Sequence, residues 1–236
     1  MTQTALKTPA ADDLPQADVL FLHIGKTGGT ALRAVLEAGA QAEGRNGLAM
    51  LMHRHTLQMV LEERPKAKVG FFVRDPLARF VSGFLSRQRK GQPRYFSEWK
   101  PKEERIFAAY ASVDALGRGL AAGEPLAESA LKAVTHLRRG LAFHLHDCGY
   151  LNSVRGSLEF IGTVETFEED VNRLKARYGI PVEKDLPRDD LGAHRNPDPQ
   201  STLLSDAARE AITARLEEEY RIYEWCLRAR AEMLKE

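Results

Sequence analysis

The chain has 236 residues, 43% hydrophobic and 28% charged, with 34 Lys and Arg against 33 Asp and Glu for a net charge of +1. That composition suits a globular α/β domain large enough for a core, and near-neutrality gives no support to a general nucleic-acid-binding or membrane-surface role. No apolar stretch reaches signal-peptide or membrane-spanning length, and Cys148 and Cys226, far apart and in no metal pattern, read as free thiols.

Met1 to Gln16 is polar and holds Pro9 and Pro15. It predicts a disordered lead-in, a single domain over 17–236 and a cytoplasmic setting. Asp18 to Ile24 is an apolar, β-favouring run and predicts a buried strand. Gly25, Gly28 and Gly29 then allow a tight turn and a close backbone approach to a ligand. Leu32, Val35 and Leu36 fall at i, i+3 and i+4, the buried face of a helix, with Gly39 suited to its C-terminal cap. A strand therefore feeds a Gly-rich turn that opens a helix. Lys26, Thr27 and Thr30 stand beside the free N–H groups there, which makes an anion site for phosphate or sulfate. It is not the usual nucleotide-triphosphate loop: that motif would need Gly at position 20, which is Leu20. The plainer alternative is a Gly-rich turn with a surface lysine.

Residues 41–47 read as a loop and Leu48 to Met52 as a short strand. His53-Arg54-His55 follows, and Thr56 is placed to cap a helix running to about Arg64. Lys68 to Val73 predicts a second buried strand. Arg74 leaves its carboxyl end, where open α/β sheets bind ligands. Pro76 opens a helix to about 89, with Leu77, Phe80, Val81, Phe84 and Leu85 on one face. Arg87 to Arg105 carries seven Lys or Arg against three Glu, together with Tyr95, Phe96 and Trp99. It reads either as a solvated loop or as a flap for an anionic or sugar acceptor.

Ile106 to Ala122 and Leu126 to Leu145 predict two helices, the second with a buried stripe of Val134, Leu137, Leu141 and Leu145. His136, Arg138 and Arg139 lie on it as acceptor-contact candidates. Ser157 to Val164 predicts a further strand, and Phe167 to Tyr178 a helix stopped by Gly179. Residues 181–202, with five Pro or Gly, read as an ordered loop. A last helix over 204–234 would bury Ile212, Leu216, Tyr220, Tyr223 and Leu227.

The two strand–turn–helix stretches together resemble the sulfotransferases that use 3′-phosphoadenosine 5′-phosphosulfate, and most closely the carbohydrate branch that includes the heparan sulfate 2-O-sulfotransferases. The likeness is good over Asp18 to Phe84 and loose beyond, with a weaker echo in Phe160 to Phe167. It implies a P-loop-like α/β fold with a mainly parallel sheet flanked by helices. It implies that Gly25, Lys26, Thr27, Gly28, Gly29 and Thr30 hold the 5′-phosphosulfate, and that Arg74 and Ser82, from Arg-Asp-Pro-x-x-Arg-Phe-x-Ser, hold the 3′-phosphate. The similar enzymes carry a His-x-His element between these motifs whose second histidine is the base, which points to His55, with His53 beside it. In related enzymes a segment near 181–202 closes over the nucleotide, which makes His194, Arg195 and Asn196 candidates.

Sulfuryl transfer needs a held donor, charge stabilisation at the leaving phosphate, and a base for the acceptor hydroxyl. The turn amides and Lys26 suit the second need. Arg74 offers a planar fork to phosphate and Ser82 a hydroxyl. A neutral imidazole suits the third. Glu62, Glu63 and His136 stand next in line as bases. Read without the flanking motifs, His53 and His55 are packing residues, or a zinc pair lacking a third ligand. His23 reads as a packed residue inside its strand. The expected donor product is adenosine 3′,5′-bisphosphate, with no metal. The expected partner is a sugar or other hydroxyl acceptor, anionic ones included. Two rivals are a nucleotide-kinase-like phosphotransferase, which would need magnesium, and a non-catalytic adenosine-bisphosphate-binding module, indifferent to loss of His55.

Overall fold

The computed structural model describes residues 14–43, 47–93, 95–180 and 199–235. Four parallel strands, β1 (Val19–Phe21), β2 (Leu48–Met50), β3 (Lys68–Val73) and β4 (Leu158–Thr163), form one sheet in the order β2-β1-β3-β4. From β1 the chain moves to one side to make β2, then crosses to the other to make β3. The sheet therefore has a topological switch point between β1 and β3, and the crevice outside their carboxyl ends is where such sheets bind ligands. The Gly-rich turn follows β1 and Arg74 follows β3, so both motifs meet there.

The helices are α1 (Gly29–Glu43), α2 (Leu57–Glu63), α3 (Pro76–Gln88), α4 (Pro101–Ala109), α5 (Val113–Ala121) and α6 (Pro125–Ala133). They continue as α7 (Thr135–Arg138), α8 (Leu141–Leu145), α9 (Cys148–Ser153), α10 (Phe167–Tyr178), α11 (Asp206–Arg215) and α12 (Glu217–Met233). One sheet face, with Phe21, Phe72 and Phe160, packs against α1 and α10. The opposite face, with Leu20, Val69, Phe71 and Ile161, packs against α2, α8, α9 and α12. A third apolar cluster joins α3 to α7 and α11 beside the sheet, around Phe80, Phe84, Ile106, Leu116 and Ile212.

Several boundaries differ from expectation. Helix α1 runs through Gly39 to Glu43, so Gly39 is not its cap. Leu14 packs in the core, and its carbonyl and that of Pro15 accept from Arg64 at 2.5 and 2.7 Å, so the chain is already docked at Leu14, two residues before the expected start of the domain. The helix expected over 106–122 breaks at Tyr110, and Ser112 caps α5 by accepting from Ala115 N at 3.0 Å. The helix expected over 126–145 is three short ones. Its four stripe residues are all buried, but Val134 and Leu137 serve the helical cluster while Leu141 and Leu145 serve the sheet. The last helix breaks at Leu216, and α12 buries Ile222, Trp225, Cys226 and Ala229 while Leu227 stays exposed. The expected Thr56 cap on α2, Pro76 at the start of α3 and left-handed Gly179 after α10 are all present. His194, Arg195 and Asn196 lie outside the described residues.

Candidate active site

The turn between β1 and α1 is held by its own atoms. Lys26 has φ 72° and Gly28 φ 78°, a left-handed region that costs a lysine energy and is found where a backbone is shaped for a task. The Thr27 hydroxyl is buried and donates to Ile24 O at 2.9 Å, so it is committed to the turn itself. A Cβ at Gly28 would lie 2.5 Å from the Phe167 ring, and one at Gly29 2.2 Å from the His23 ring. Both glycines are therefore dictated by aromatic side chains packed against the loop. The first N–H groups of α1, from Gly29 and Thr30 onward, have no intrahelical partner, and the positive helix end adds to them. Burial, then the nearby Arg74 and Arg89, push the Lys26 ammonium down to about 8. Cations crowd a cation here, which is the electrostatic signature of a site shaped for an anion.

Arg74 lies across the crevice from this turn, with Nη1 in long contact with Lys26 O at 3.5 Å. Burial lowers its pKa, and Glu165 and Asp75 offset part of that. Asp75 caps α3 by accepting from Ala78 N at 2.8 Å, while its own N–H donates to Glu165 at 2.8 Å. Ser82 is half-buried, about two turns along α3.

The second arginine of the same motif, Arg79, does different work. It is fully buried, and its Nη1 donates to His136 O at 3.0 Å and Arg139 O at 3.4 Å. Its Nη2 lies 3.7 Å from Glu219, whose carboxylate also accepts from Leu141 N at 2.6 Å and Ala142 N at 3.0 Å. Arg79 and Glu219 thus clamp residues 136–142 beneath the turn. His136 fills the space between Gly25 and Gly83, where added Cβ atoms would meet it at 3.4 and 3.1 Å.

His23, just past β1, is not a strand-core residue. Its ring stacks on that of His53 with centroids 3.5 Å apart. The two histidines of the His-x-His element then part. His53 is exposed, and its Nδ1 is 3.1 Å from His23 O. A carbonyl only accepts, so Nδ1 carries the proton and Nε2 keeps a lone pair. His55, the expected base, is 3% exposed, its Nδ1–H donates to Met52 O at 3.2 Å, and its Nε2 is buried with no partner among the described residues. His55 O in turn accepts from the Nδ1–H of buried His144 at 3.1 Å, which ties α8 to the 53–55 segment. Burial, followed by neighbouring positive charge, drives His23 and His136 down to about 3. Partial loss of hydration also lowers His53, offset in part by the bond to His23 O and reinforced by nearby cations. His144 falls to about 4, chiefly through burial. All are neutral imidazoles near pH 7.

The basic 87–105 segment is partly structural. Arg87 is buried and bidentate to Glu103 at 2.9 and 2.7 Å, and Trp99 Nε1 donates to Arg87 O at 2.8 Å. Tyr95 and Phe96 remain exposed. Among the described residues no group of His, Cys, Asp or Glu is arranged to hold a metal ion, and no helix is long and apolar enough to cross a membrane. Both cysteines are free. The contributions of Arg79, Glu219 and His23 were not foreseen. Only the arginine within Arg-Asp-Pro-x-x-Arg carried a signal, and its burial was not readable from spacing.

A parallel sheet with an anion turn and an arginine at its switch point, and a neutral histidine beside them, is the construction of a group-transfer site for an anionic donor. The family model described as "Sulfotransferase family" matches residues 12–225, and the chain belongs to that family. Its reaction class is sulfuryl transfer. No curated protein and no solved structure matches the chain.

Proposed function

We propose that this chain moves a sulfuryl group from 3′-phosphoadenosine 5′-phosphosulfate to a hydroxyl of a glycan or similar acceptor, with residues 17–236 acting as one domain. The observation that carries the reading is the Lys26 turn: a left-handed lysine crowded by Arg74 and Arg89, on the free N–H groups of α1, at the switch point. These residues fit a doubly anionic nucleotide. Gly25, Lys26, Thr27, Gly28, Gly29 and Thr30 would hold the 5′-phosphosulfate, and Arg74 and Ser82 the 3′-phosphate. When bound, the donor supplies the activated sulfuryl group. Lys26 and the amides would offset the negative charge that grows on the leaving phosphate, which is the work a divalent metal does elsewhere.

For the base we favour His53 over His55. His53 presents an exposed ring whose Nδ1–H is anchored on His23 O, so Nε2 is free to take the acceptor proton. His55 serves by its backbone carbonyl and by packing. A cytoplasmic setting is compatible with the free Cys148 and Cys226.

The test is a thermal-shift panel of adenine nucleotides. Adenosine 3′,5′-bisphosphate at a hundred times its dissociation constant should stabilise the fold by about 2.7 kcal/mol without added metal. Equal or greater stabilisation by ATP with magnesium would favour the kinase rival and sink the reading.

A further inference from the structure

The corner between β4 and α10 touches both anion motifs at once. On one side it reaches the turn. The Phe167 ring, which opens α10, fills the space over Gly28, where an added Cβ would lie 2.5 Å from it, and packs on Phe72 with centroids 5.1 Å apart. On the other side the corner reaches the end of β3. Val164 N donates to Val73 O at 2.9 Å, and the Glu165 carboxylate accepts from Asp75 N at 2.8 Å. Arg74 stands between those two bonds in the chain. Burial works against its charge, and Glu165 is the strongest of the charges that favour it, ahead of Asp75. The corner is itself anchored from behind. Asp170, 1% exposed, accepts from Thr163 N at 2.8 Å, Thr166 Oγ1 at 2.9 Å and Arg230 Nη2 at 2.8 Å, which ties the corner to α12. A buried carboxylate with charge-assisted partners on several sides leaves the residues around it little freedom. Glu165, by contrast, is exposed, so it carries little of the packing.

We propose that this corner sets the spacing of the two anion motifs: Phe167 holds the turn, and Glu165 is a positioning residue that aims Arg74. The backbone is gripped on both sides of the arginine, at Val73 and at Asp75, so its guanidinium leaves the strand in a fixed direction. The consequence is selectivity. A nucleotide with phosphates at both its 5′ and 3′ ends spans the turn and Arg74 together, and one without the 3′-phosphate meets the turn alone. Phe167 therefore acts on the 5′ end and Glu165 on the 3′ end, although both belong to one corner. This deepens the function proposed above and rests on its donor reading.

The matched probes are adenosine 3′,5′-bisphosphate and adenosine 5′-monophosphate, which differ only by the 3′-phosphate. Each is titrated calorimetrically into the full chain without added metal. A charge-assisted bond to the 3′-phosphate should make wild type prefer the bisphosphate roughly tenfold or more. Glu165→Ala should shrink that preference to about threefold or less while leaving monophosphate affinity unchanged. Glu165→Gln keeps an acceptor for Asp75 N and should restore the preference. Phe167→Leu should weaken both nucleotides by the same factor and leave their ratio alone. The ratio separates aim from stability, because a loosened fold lowers both affinities together. A Glu165→Ala protein that keeps the wild-type ratio overturns the proposal. So does a Glu165→Gln protein that behaves like Glu165→Ala, since the bond to Asp75 N would then not be what aims Arg74. A Phe167→Leu protein that changes the ratio, or that binds both nucleotides as wild type does, overturns it as well. A wild type that binds neither nucleotide, or both equally, sinks the donor reading, and the inference falls with it; that result is read before any variant is compared.

Discussion

The two sides of the crevice are built by opposite means. The side proposed to hold the donor is mainly backbone: a turn that bonds to itself through Thr27, the open end of α1, and one arginine at the end of β3. The side proposed to meet the acceptor is side chains from three segments, His23, the 53–55 element and residues 136–145, stacked and hydrogen-bonded to one another. Backbone amides do not titrate, even where the turn that carries them packs against Phe167 and His23. Stacked neutral imidazoles depend on pH and on whatever holds their segments in place. The acceptor side should therefore be the part that fails first under substitution or acid.

The largest effect should come from His53. Loss of a positioned base costs about 10²–10⁴ in rate, so His53→Ala should lose turnover on that scale and still bind adenosine bisphosphate normally. Partial loss of hydration, with the cations Arg139, Arg33 and Lys26, outweighs the bond to His23 O and lowers the His53 pKa from its ordinary 6.5. The wild-type rate should therefore hold below pH 6.5 and fall only as pH drops through that lowered value. His53→Ala should lack this acid limb. His55→Asn, which keeps a donor for Met52 O, should retain it. The reverse pattern, with His55→Asn dead and His53→Ala active, would return the base to His55 and make the stacked pair a packing feature.

Arg79 sharpens the contrast from the other direction. It belongs to the donor motif by sequence but holds the acceptor side by contact. Removing one partner from a buried charge network costs about 3–5 kcal/mol, so Arg79→Met should lose roughly 3 kcal/mol in urea unfolding. Arg79→Lys should recover little, because one ammonium cannot reach His136 O, Arg139 O and Glu219 together. A loss under about 1 kcal/mol would mean that residues 136–142 are held by apolar packing alone.

This difference also explains what could be read in advance. The turn, Arg74 and α3 are encoded in contiguous residues, so Gly spacing, Pro76 and an apolar face suffice to place them. The parallel sheet follows from the same strand–helix alternation. The acceptor side has no local code. His53 and His55 are two residues apart, and only tertiary packing decides that one faces out and the other in. The apolar stripe through Val134 and Leu145 looks like one helix because each residue is buried. It is broken because the Glu219 carboxylate, from α12, takes the Leu141 and Ala142 amides and restarts the helix there. Nothing near residue 140 announces a partner nearly eighty positions away.

The smallest expected effect concerns acid stability, and it tests whether the histidines are held neutral. His23 and His136 have folded-state pKa values of about 3 and His144 of about 4, against an ordinary 6.5 in the unfolded chain. As pH falls below 6.5 the unfolded chain takes up protons that the folded one refuses. Stability is thus complete above that value and declines toward pH 4, with each histidine contributing up to about 1.4 kcal/mol per pH unit. Below that window Glu103 and Asp170, both held low by arginine partners, begin to protonate, so the reading belongs between pH 6.5 and 4.5. His144 is the cleanest probe because it is 1% exposed and solvent does little to screen it. Asn at that position can still donate to His55 O but cannot titrate. His144→Asn should therefore show a shallower loss of urea-unfolding stability across the window, by about one proton. Slopes that match wild type would mean that His144 binds its proton in the folded state as readily as in the unfolded one, and the acceptor side would then be no more acid-sensitive than the turn it faces.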